Sequence, residues 1–180
     1  MSLLPALAPF LLAAASSAEP RLDPLSATAT REQVLVSFHL AGAFSEKLTE
    51  RIQSGLATSF VYRFELLRDR KHWWDDHIAT STFEVTTMYN AISHEYLVNY
   101  KLDGRLVESR LARSRGELEA AMTTFERLPV FSVADRSPGT RVLVRARAEL
   151  GSRTLLSIIP VHVATPWATS KKFRVPREAE

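Results

Sequence analysis

The chain has 180 residues, of which 46% are hydrophobic and 24% charged, and this composition is typical of one ordinary globular domain. The formal net charge of +3 does not indicate a nucleic-acid partner, and none is predicted. Because the sequence contains no cysteine, disulfide bonds and lipid attachment at a cysteine are excluded.

Residues 1–18, MSLLPALAPFLLAAASSA, are uncharged and contain an apolar run over residues 3–15. The run is shorter than the about 20 residues that a membrane-spanning helix needs, and small residues follow it. We therefore predict a secretory signal peptide cleaved after Ala18, with the alanines a few residues earlier as the alternative site. A buried N-terminal helix is the other interpretation, which Pro5 and Pro9 would interrupt. Cleavage would leave a periplasmic or otherwise exported protein.

The first half of the mature chain alternates between extended and helical patterns. Residues 19–32 are polar and are predicted to be a flexible lead. Residues 33–40 alternate apolar and polar side chains, which predicts a strand. Ser45 is expected to cap a short helix that runs through Ser54. Thr58–Arg68 returns to period two with aromatic residues on one face, which predicts a central strand.

Residues 79–112 are predicted to form a three-stranded antiparallel meander. Two alternating apolar runs are joined by a loop at residues 90–93, and Asp103 and Gly104 then form a type I′ turn. These turns imply that Leu102 pairs with Arg105, Tyr100 with Val107, Val98 with Ser109, Tyr96 with Leu111, Tyr89 with His94, Thr87 with Tyr96, Val85 with Val98, and Phe83 with Tyr100. The opposite face is predicted to be wet, with Thr82, Glu84, Thr86, Glu95, Asn99, Lys101, Glu108 and Arg110.

The last third contains one clear helix signal and three extended segments, and the pattern weakens from Arg153 onward. Ser114 begins a capping box that predicts an amphipathic helix reaching Leu128. The extended segments are residues 140–150, residues 155–163, where Pro160 demotes the strand to an edge, and residues 167–175, followed by a frayed tail over residues 176–180. We therefore predict a single mainly β domain over residues 33–175. Its architecture would be an antiparallel, immunoglobulin-like sandwich of about seven or eight strands with two accessory helices.

Several segments resemble a family of exported bacterial proteins catalogued as domain of unknown function 4390. They are VSFHLAGAF, SGLATSFVYRFELLRDR, WWDDHIAT, LDGRLVES, GELEAAM and GTRVLVRARAEL. The resemblance covers residues 33–175 and implies an envelope location and one β-rich domain with accessory helices. It carries over no active site.

The segment between the central strand and the meander holds the candidate metal ligands. His72, Asp75, Asp76 and His77 lie within six residues, but their spacing matches no standard zinc motif. A charged surface loop has the same composition, so no metal site is predicted. The adjacent Trp73 and Trp74 point to opposite sides if the segment is extended, so one of them is expected on the surface.

Basic residues give the candidate binding surface, which comprises Arg141, Arg145, Arg147, Arg153, Trp73, Trp74 and Trp167. Arginines on one strand face can bind an anionic polymer, a phospholipid head group or an acidic partner through bidentate contacts. The alternative is a solvated face neutralised by Glu149 and by carboxylates on neighbouring strands. Lys171, Lys172 and Arg174 near Trp167 and Phe173 resemble a membrane-surface patch for peripheral contact, and a solubilising edge strand is the alternative there.

No catalytic motif is present. No serine stands in a Gly-x-Ser-x-Gly elbow, no glycine-rich phosphate loop exists, and no cofactor is predicted. His94 is expected beside Tyr89 in a structural role. A hydrolytic enzyme without a recognisable motif is the third hypothesis, and it would need carboxylates gathered around His39, His94 or His162.

The sequence favours a non-enzymatic envelope protein that binds another envelope protein, for which the outer domain of a membrane sensor is one candidate. Residues 155–163 are expected to offer an edge for strand addition by that partner. The alternative is a carrier of a lipid or small hydrophobic ligand, held in a gap between the sheets that Phe60, Tyr62, Phe64 and Tyr100 would line.

Overall fold

Alternating apolar and polar residues produce eleven strands in the part of the chain that the computed structural model describes, namely residues 19–69, 76–133, 139–155 and 159–176. The predicted signal peptide lies outside these residues. The strands are β1 (Arg21–Ala29), β2 (Gln33–Ala41), β3 (Thr58–Arg68), β4 (Asp76–Asn90), β5 (Glu95–Leu102), β6 (Arg105–Ala112), β7 (Thr124–Ser132), β8 (Arg141–Leu155), β9 (Ile159–Ala164), β10 (Ala168–Thr169) and β11 (Phe173–Arg174), and the helices are α1 (Glu46–Gln53) and α2 (Arg115–Thr123).

Two antiparallel sheets form the sandwich. The small sheet has the order β1-β2-β7, and the large sheet has the order β10-β8-β3-β4-β5-β6, with β9 and β11 also paired to β8. The prediction of a mainly β, antiparallel sandwich with two helices is confirmed. The strand β3 pairs with both β4 and β8, as expected for a central strand. No helix among the described residues is long and apolar enough to cross a membrane.

The strand β1 corrects the prediction of a flexible lead over residues 19–32. It pairs with β2, buries Leu22, and packs Leu25 and Ala27 against the core. Its small, widely spaced apolar residues give a weak strand signal in the sequence. Pairing with β2, which is strongly apolar, nevertheless satisfies the main-chain hydrogen-bonding groups of β1 and fixes the segment in place.

The strand β7 replaces the second half of the predicted long helix. The helix α2 ends at Thr123, so its predicted extension to Leu128 is wrong. Phe125 instead turns its ring into the core, 5.0 Å from the ring centroids of both Phe38 and Phe83. The apolar spacing of this segment is compatible with a helix. The segment is extended instead because pairing with β2 satisfies its main-chain hydrogen-bonding groups.

The meander forms as predicted, but the register of its first hairpin differs by two residues. Val85 lies opposite Tyr100 rather than Val98. The cause is the turn, where the side chain of Asn90 accepts hydrogen bonds from the amides of Ile92 and Ser93, so the loop spans residues 91–94. Because strand side chains repeat every two residues, the apolar face is unchanged.

In the second hairpin a β-bulge places the side chains of β6 beyond it on the opposite faces of the sheet from those predicted. Asp103 and Gly104 have positive φ angles of 47° and 79°, as a type I′ turn requires, and Leu102 pairs with Arg105 as predicted. A register shift after Tyr100 then places Glu108 opposite it, where Val107 was expected. The other corrected pairs are Val98 with Arg110 and Tyr96 with Ala112, so Glu108 and Arg110 leave the predicted wet face and Leu111 joins it.

Aromatic residues hold the two sheets together. Phe38 of the small sheet packs on Tyr62 of the large sheet at a centroid distance of 4.8 Å. The helix α1 buries Ile52 and is capped by Ser45, whose side chain accepts a hydrogen bond from the Leu48 amide, as the sequence predicts. The helix α2 buries Leu118 and Met122 under β5 and β6. Both helices thereby cover core that the small sheet leaves open.

Candidate functional site

The outer face of the large sheet carries two distinct surfaces. The first, here called the arginine–tryptophan cluster, consists of Arg63, Glu65, Arg145, Arg147, Glu149 and Trp167. The second, here called the apolar edge, consists of Met88, Leu97, Leu106, Val107 and Leu111. They lie side by side on that face, because the cluster lies on β3, β8 and the segment before β10, and the apolar edge lies on β4, β5 and β6.

Trp167 lies between two arginines of β8. Its ring centroid is 4.7 Å from the Arg145 guanidinium carbon and 4.8 Å from that of Arg147. The segment that carries Trp167 is fixed along β8 by main-chain hydrogen bonds from Thr165 to Ala148 and from Ser170 to Val144. The side chains of Thr165 and Ser170 accept hydrogen bonds from the same two β8 residues in return. The tryptophan is thus positioned by regular backbone pairing.

Carboxylates on the same face neutralise these arginines. Arg145 contacts Glu65 at 3.0 Å, and Arg147 contacts Glu149 at 3.1 Å. Arg63 also donates to Glu149, at 2.6 Å. Partial burial acts to raise the pKa of Glu149, but the hydrogen bonds and charges of Arg63 and Arg147 outweigh it and lower that pKa. Among the described residues, the buried Nε atoms of Arg145 and Arg147 have no hydrogen-bond partner.

Arg141 belongs to a separate ion cluster at the end of β8. Asp69 accepts a hydrogen bond from Lys172 at 2.7 Å and one from Arg141 at 3.4 Å. The hydrogen bond from Lys172 is the main reason that the pKa of Asp69 is lowered, with a smaller contribution from Arg141. Of the predicted membrane patch, Lys172 is therefore paired within the chain, while Lys171 and Arg174 are exposed.

The remaining predicted site residues are not gathered with these. The backbone of Arg153 lies in β8 opposite Val161, and its side chain lies outside the described residues. His77 lies in β4 opposite Leu67, and Asp76 is opposite Arg68. His72, Trp73, Trp74 and Asp75 also lie outside the described residues. Within the described ranges, no three His, Asp or Glu residues are arranged to hold a metal ion.

The histidines of the enzyme hypothesis lie on different elements. His39 contacts the Thr124 hydroxyl at 3.0 Å on the small sheet. His94 contacts the Tyr89 hydroxyl at 3.0 Å in the turn between β4 and β5, which confirms the position predicted for it. His162 lies in β9, and its side chain is outside the described part of the chain. Neither described histidine has a carboxylate as its hydrogen-bond partner in these contacts.

The aromatic residues proposed to line a ligand gap form the packed core instead. Phe60, Tyr62, Phe64 and Tyr100 are all buried. Tyr62 donates a hydrogen bond of 2.5 Å to the Met122 carbonyl, and Tyr100 donates one of 3.0 Å to the neighbouring carbonyl of α2. Burial, with a smaller effect of Tyr100, raises the pKa of Tyr62 well above its ordinary value. These contacts occupy the space that a ligand between these four side chains would need.

The apolar edge lies at the free margin of the large sheet. Met88, Leu97 and Leu111 face each other across β4, β5 and β6, and their exposed fractions are 51%, 40% and 58%. The strand β6 ends the strand order, and seven of its eight residues are exposed. Contiguous exposed apolar residues beside an open edge are typical of a protein-binding surface. This site was not predicted from the sequence, although Met88 and Leu97 already occupy alternating positions assigned to the polar face.

Comparison with known families identifies the chain. The model of the family described as Domain of unknown function (DUF4390) matches residues 17–166. The chain belongs to the DUF4390 family. The match includes the whole apolar edge and the β3 and β8 residues of the arginine–tryptophan cluster, whereas Trp167 follows directly after it. Neither the curated proteins nor the solved structures yield a match to the chain.

Proposed function

We propose that this DUF4390 protein is an exported, non-enzymatic interaction module of the cell envelope that binds a protein partner at its apolar edge. The observation that carries the proposal is the row of Met88, Leu97 and Leu111, which ends at β6, an exposed strand that pairs with β5 alone among the described strands. The predicted signal peptide supports the envelope location. The outer domain of a membrane sensor remains one candidate for the partner.

The apolar edge offers both main-chain and side-chain binding energy. An edge strand presents free amides and carbonyls that an added strand can pair with, as in β-augmentation. Burying one exposed leucine side chain stabilises a complex by about 1.5–3 kcal/mol, so covering the partly exposed Leu97 and Leu111 supplies on the order of 2 kcal/mol. Strand pairing then sets the direction and register of the partner, while the row provides much of the affinity.

The arginine–tryptophan cluster is the less favourable binding surface. An acidic partner would exchange the contact of Arg145 with Glu65, or that of Arg147 with Glu149, for an equivalent contact between molecules. Such an exchange gains little free energy, because surface ion pairs contribute about 0–1 kcal/mol each. It would also disturb the stacking of both guanidinium groups on Trp167. The cluster therefore supports a structural role.

Site-specific photocrosslinking in living cells tests the proposal. A photoreactive residue replaces Ser109 on β6, and in a matched strain it replaces Leu56, which is also exposed but lies before β3. We expect covalent adducts in the envelope fraction from position 109 and none from position 56. The added substitution Leu111→Glu should abolish the adducts, whereas Leu56→Glu should leave them unchanged. Adducts that form equally from both positions would contradict the proposal.

A further inference from the structure

The exposed β6 strand has a sequence that is complementary to itself. Arg105–Ala112 reads RLVESRLA. When two copies run antiparallel with Ser109 opposite Ser109, Glu108 of each copy lies opposite Arg110 of the other. Leu111 then lies opposite Val107, and both side chains are exposed in the single chain. Opposite charges and apolar residues that pair across strands both stabilise a sheet.

We propose that the partner at the apolar edge is a second copy of this chain, bound through antiparallel pairing of the two β6 strands around Ser109. The inference rests on the proposed function, since it names the occupant of the same edge. The contact is isologous, because the same residues serve on both copies and a two-fold axis passes between the two Ser109 residues. The large sheets would join into one continuous sheet.

Neighbouring registers are excluded by charge and by face. A shift of two residues brings Glu108 opposite Glu108 or Arg110 opposite Arg110, and like charges directly opposite destabilise a strand pair. A shift of one residue inverts one sheet relative to the other, so the apolar row of one copy would continue into the helix-covered face of its partner. The register centred on Ser109 places both apolar rows on the same side and pairs each charge with its opposite.

Each charge is already held in place in the single chain. The Arg110 Nη2 donates to Glu108 Oε2 at 3.1 Å, and the Arg110 guanidinium carbon lies 5.5 Å from the centroid of the Tyr100 ring. The hydrogen bond that Arg110 donates to Glu108 is the main reason that the pKa of Arg110 is raised. The pair is therefore oriented along the edge before the second copy arrives, so less side-chain freedom is lost on association.

The expected dimer is modest in strength. Pairing over residues 107–111 buries a surface at the low end of the range for protein interfaces, below about 1,200 Å² in total. The β-bulge at Val107 limits its extension toward the Asp103 turn. We therefore expect a monomer–dimer equilibrium that depends on protein concentration. The dimer would be transient, and each chain would also exist as a monomer.

Charge reversal tests the register. Sedimentation equilibrium of the purified, cell-processed chain measures the dimer dissociation constant of the wild type and of Glu108→Arg, Arg110→Glu and the double variant. We expect each single variant to weaken association at least about tenfold, since it places like charges opposite each other. The double variant should restore association. An equimolar mixture of the two single variants should form a heterodimer, because one chain then carries two arginines and the other two glutamates.

A matched control uses the other exposed i, i+2 ion pair on an edge strand. Arg21 contacts Asp23 at 3.7 Å on β1, so Arg21→Glu reverses an equivalent charge away from β6 and should leave association unchanged. A wild-type chain that stays monomeric at every concentration would overturn the inference, as would single variants that dimerise normally or a double variant that fails to recover. If the chain is monomeric while position 109 still crosslinks a different envelope protein, the inference fails and the proposed function stands.

Discussion

Tyr62 donates its hydroxyl hydrogen to the main-chain carbonyl of Met122, which joins the centre of the large sheet to the last turn of α2. The contact is fully buried, so neither group has water as an alternative partner. A residue at the middle of the sandwich thus bonds the helix one residue before the helix ends at Thr123. The chain after Met122 is then directed straight into β7.

Substitution of Tyr62 is expected to destabilise the fold. Tyr62→Phe leaves the Met122 carbonyl without its donor and should lower the free energy of unfolding by about 1–3 kcal/mol. Urea unfolding followed by circular dichroism gives this value. Tyr89→Phe removes a hydroxyl that contacts only the exposed His94 turn, and it should change stability by less than about 0.5 kcal/mol. Equal effects of the two substitutions would argue against the buried hydrogen bond.

The β-bulge in the second hairpin can be tested with adjacent residues. Ala112 is buried and Leu111 is exposed, whereas a hairpin without the bulge would reverse them. Ala112→Asp should cost about 3 kcal/mol or more, because it buries an unpaired charge. Leu111→Asp should stay within about 0.5 kcal/mol of the wild type. Thermal unfolding that gave the opposite ranking would contradict the register.

Trp167 should stabilise the segment that follows β9. Trp167→Ala removes two cation–π contacts, each contributing about 0.5–1 kcal/mol at an exposed site, together with the packing of the ring on β8. We expect a loss of about 1–3 kcal/mol in urea unfolding. Trp167→Phe keeps an aromatic face and should recover part of that loss. If alanine and phenylalanine variants were equally stable, the stacking would have no energetic role.

The carboxylates of Asp69 and Glu149 make stability depend on acid pH. Their pKa values are lower in the folded chain than in the unfolded chain, through hydrogen bonds from Lys172 and Arg63 respectively. A lowered carboxyl pKa contributes stability above the unfolded value of about 4, and this contribution is lost as the pH falls through the folded value. The folded protein should therefore lose stability progressively in that acidic range.

Asp69→Asn isolates one of these contributions. The variant should be less stable than the wild type at neutral pH, and the deficit should shrink as the pH falls from about 5 to about 2. Urea unfolding at a series of pH values measures the deficit. Asp23→Asn is the control, because Asp23 is exposed and only loosely paired with Arg21. A deficit for Asp69→Asn that does not change with pH would exclude the ion cluster as its cause.

Export predicts a shortened chain in the cell. The envelope form should begin at Glu19, because cleavage is expected after Ala18. Mass spectrometry of the intact protein from an osmotic-shock fraction determines its first residue. Replacement of Ala18 by a bulky residue such as Phe should slow processing, since small side chains are required at the cleavage site. An intact Met1 on the protein in the cytosol would contradict export.

Features that depend on local chemistry were predictable from the sequence. The alternation in β3, the caps at Ser45 and Ser114, and the positive-φ turn at Asp103 follow from neighbouring residues alone. The family resemblance stated from sequence segments agrees with the family match. These elements were sufficient to predict the sandwich.

Features that depend on distant partners were not predictable in the same way. The strand β1 forms by pairing with β2. The strand β7 is extended because Phe125 fits between aromatic residues of both sheets. The β-bulge near Val107 turns β6 over without any glycine or proline to mark it. The stacking of Trp167 on Arg145 joins segments about twenty residues apart in sequence, and periodicity carries no information about such a contact.

The strand β8 has consequences for how the protein could assemble. On the side away from β3 it is occupied in turn by β9, β10 and β11, so the described part of the large sheet has its long free margin at β6. Strand addition to the large sheet at that margin stops once the margin is filled. Removing the chain after residue 166 would uncover the Arg141–Ala146 stretch of β8, which pairs with β10 and β11, and give the large sheet a second open stretch of edge. Strand addition at both margins of the large sheet, and hence open-ended polymers, would then become geometrically possible. Residues 167–175 therefore limit assembly as well as completing the sheet.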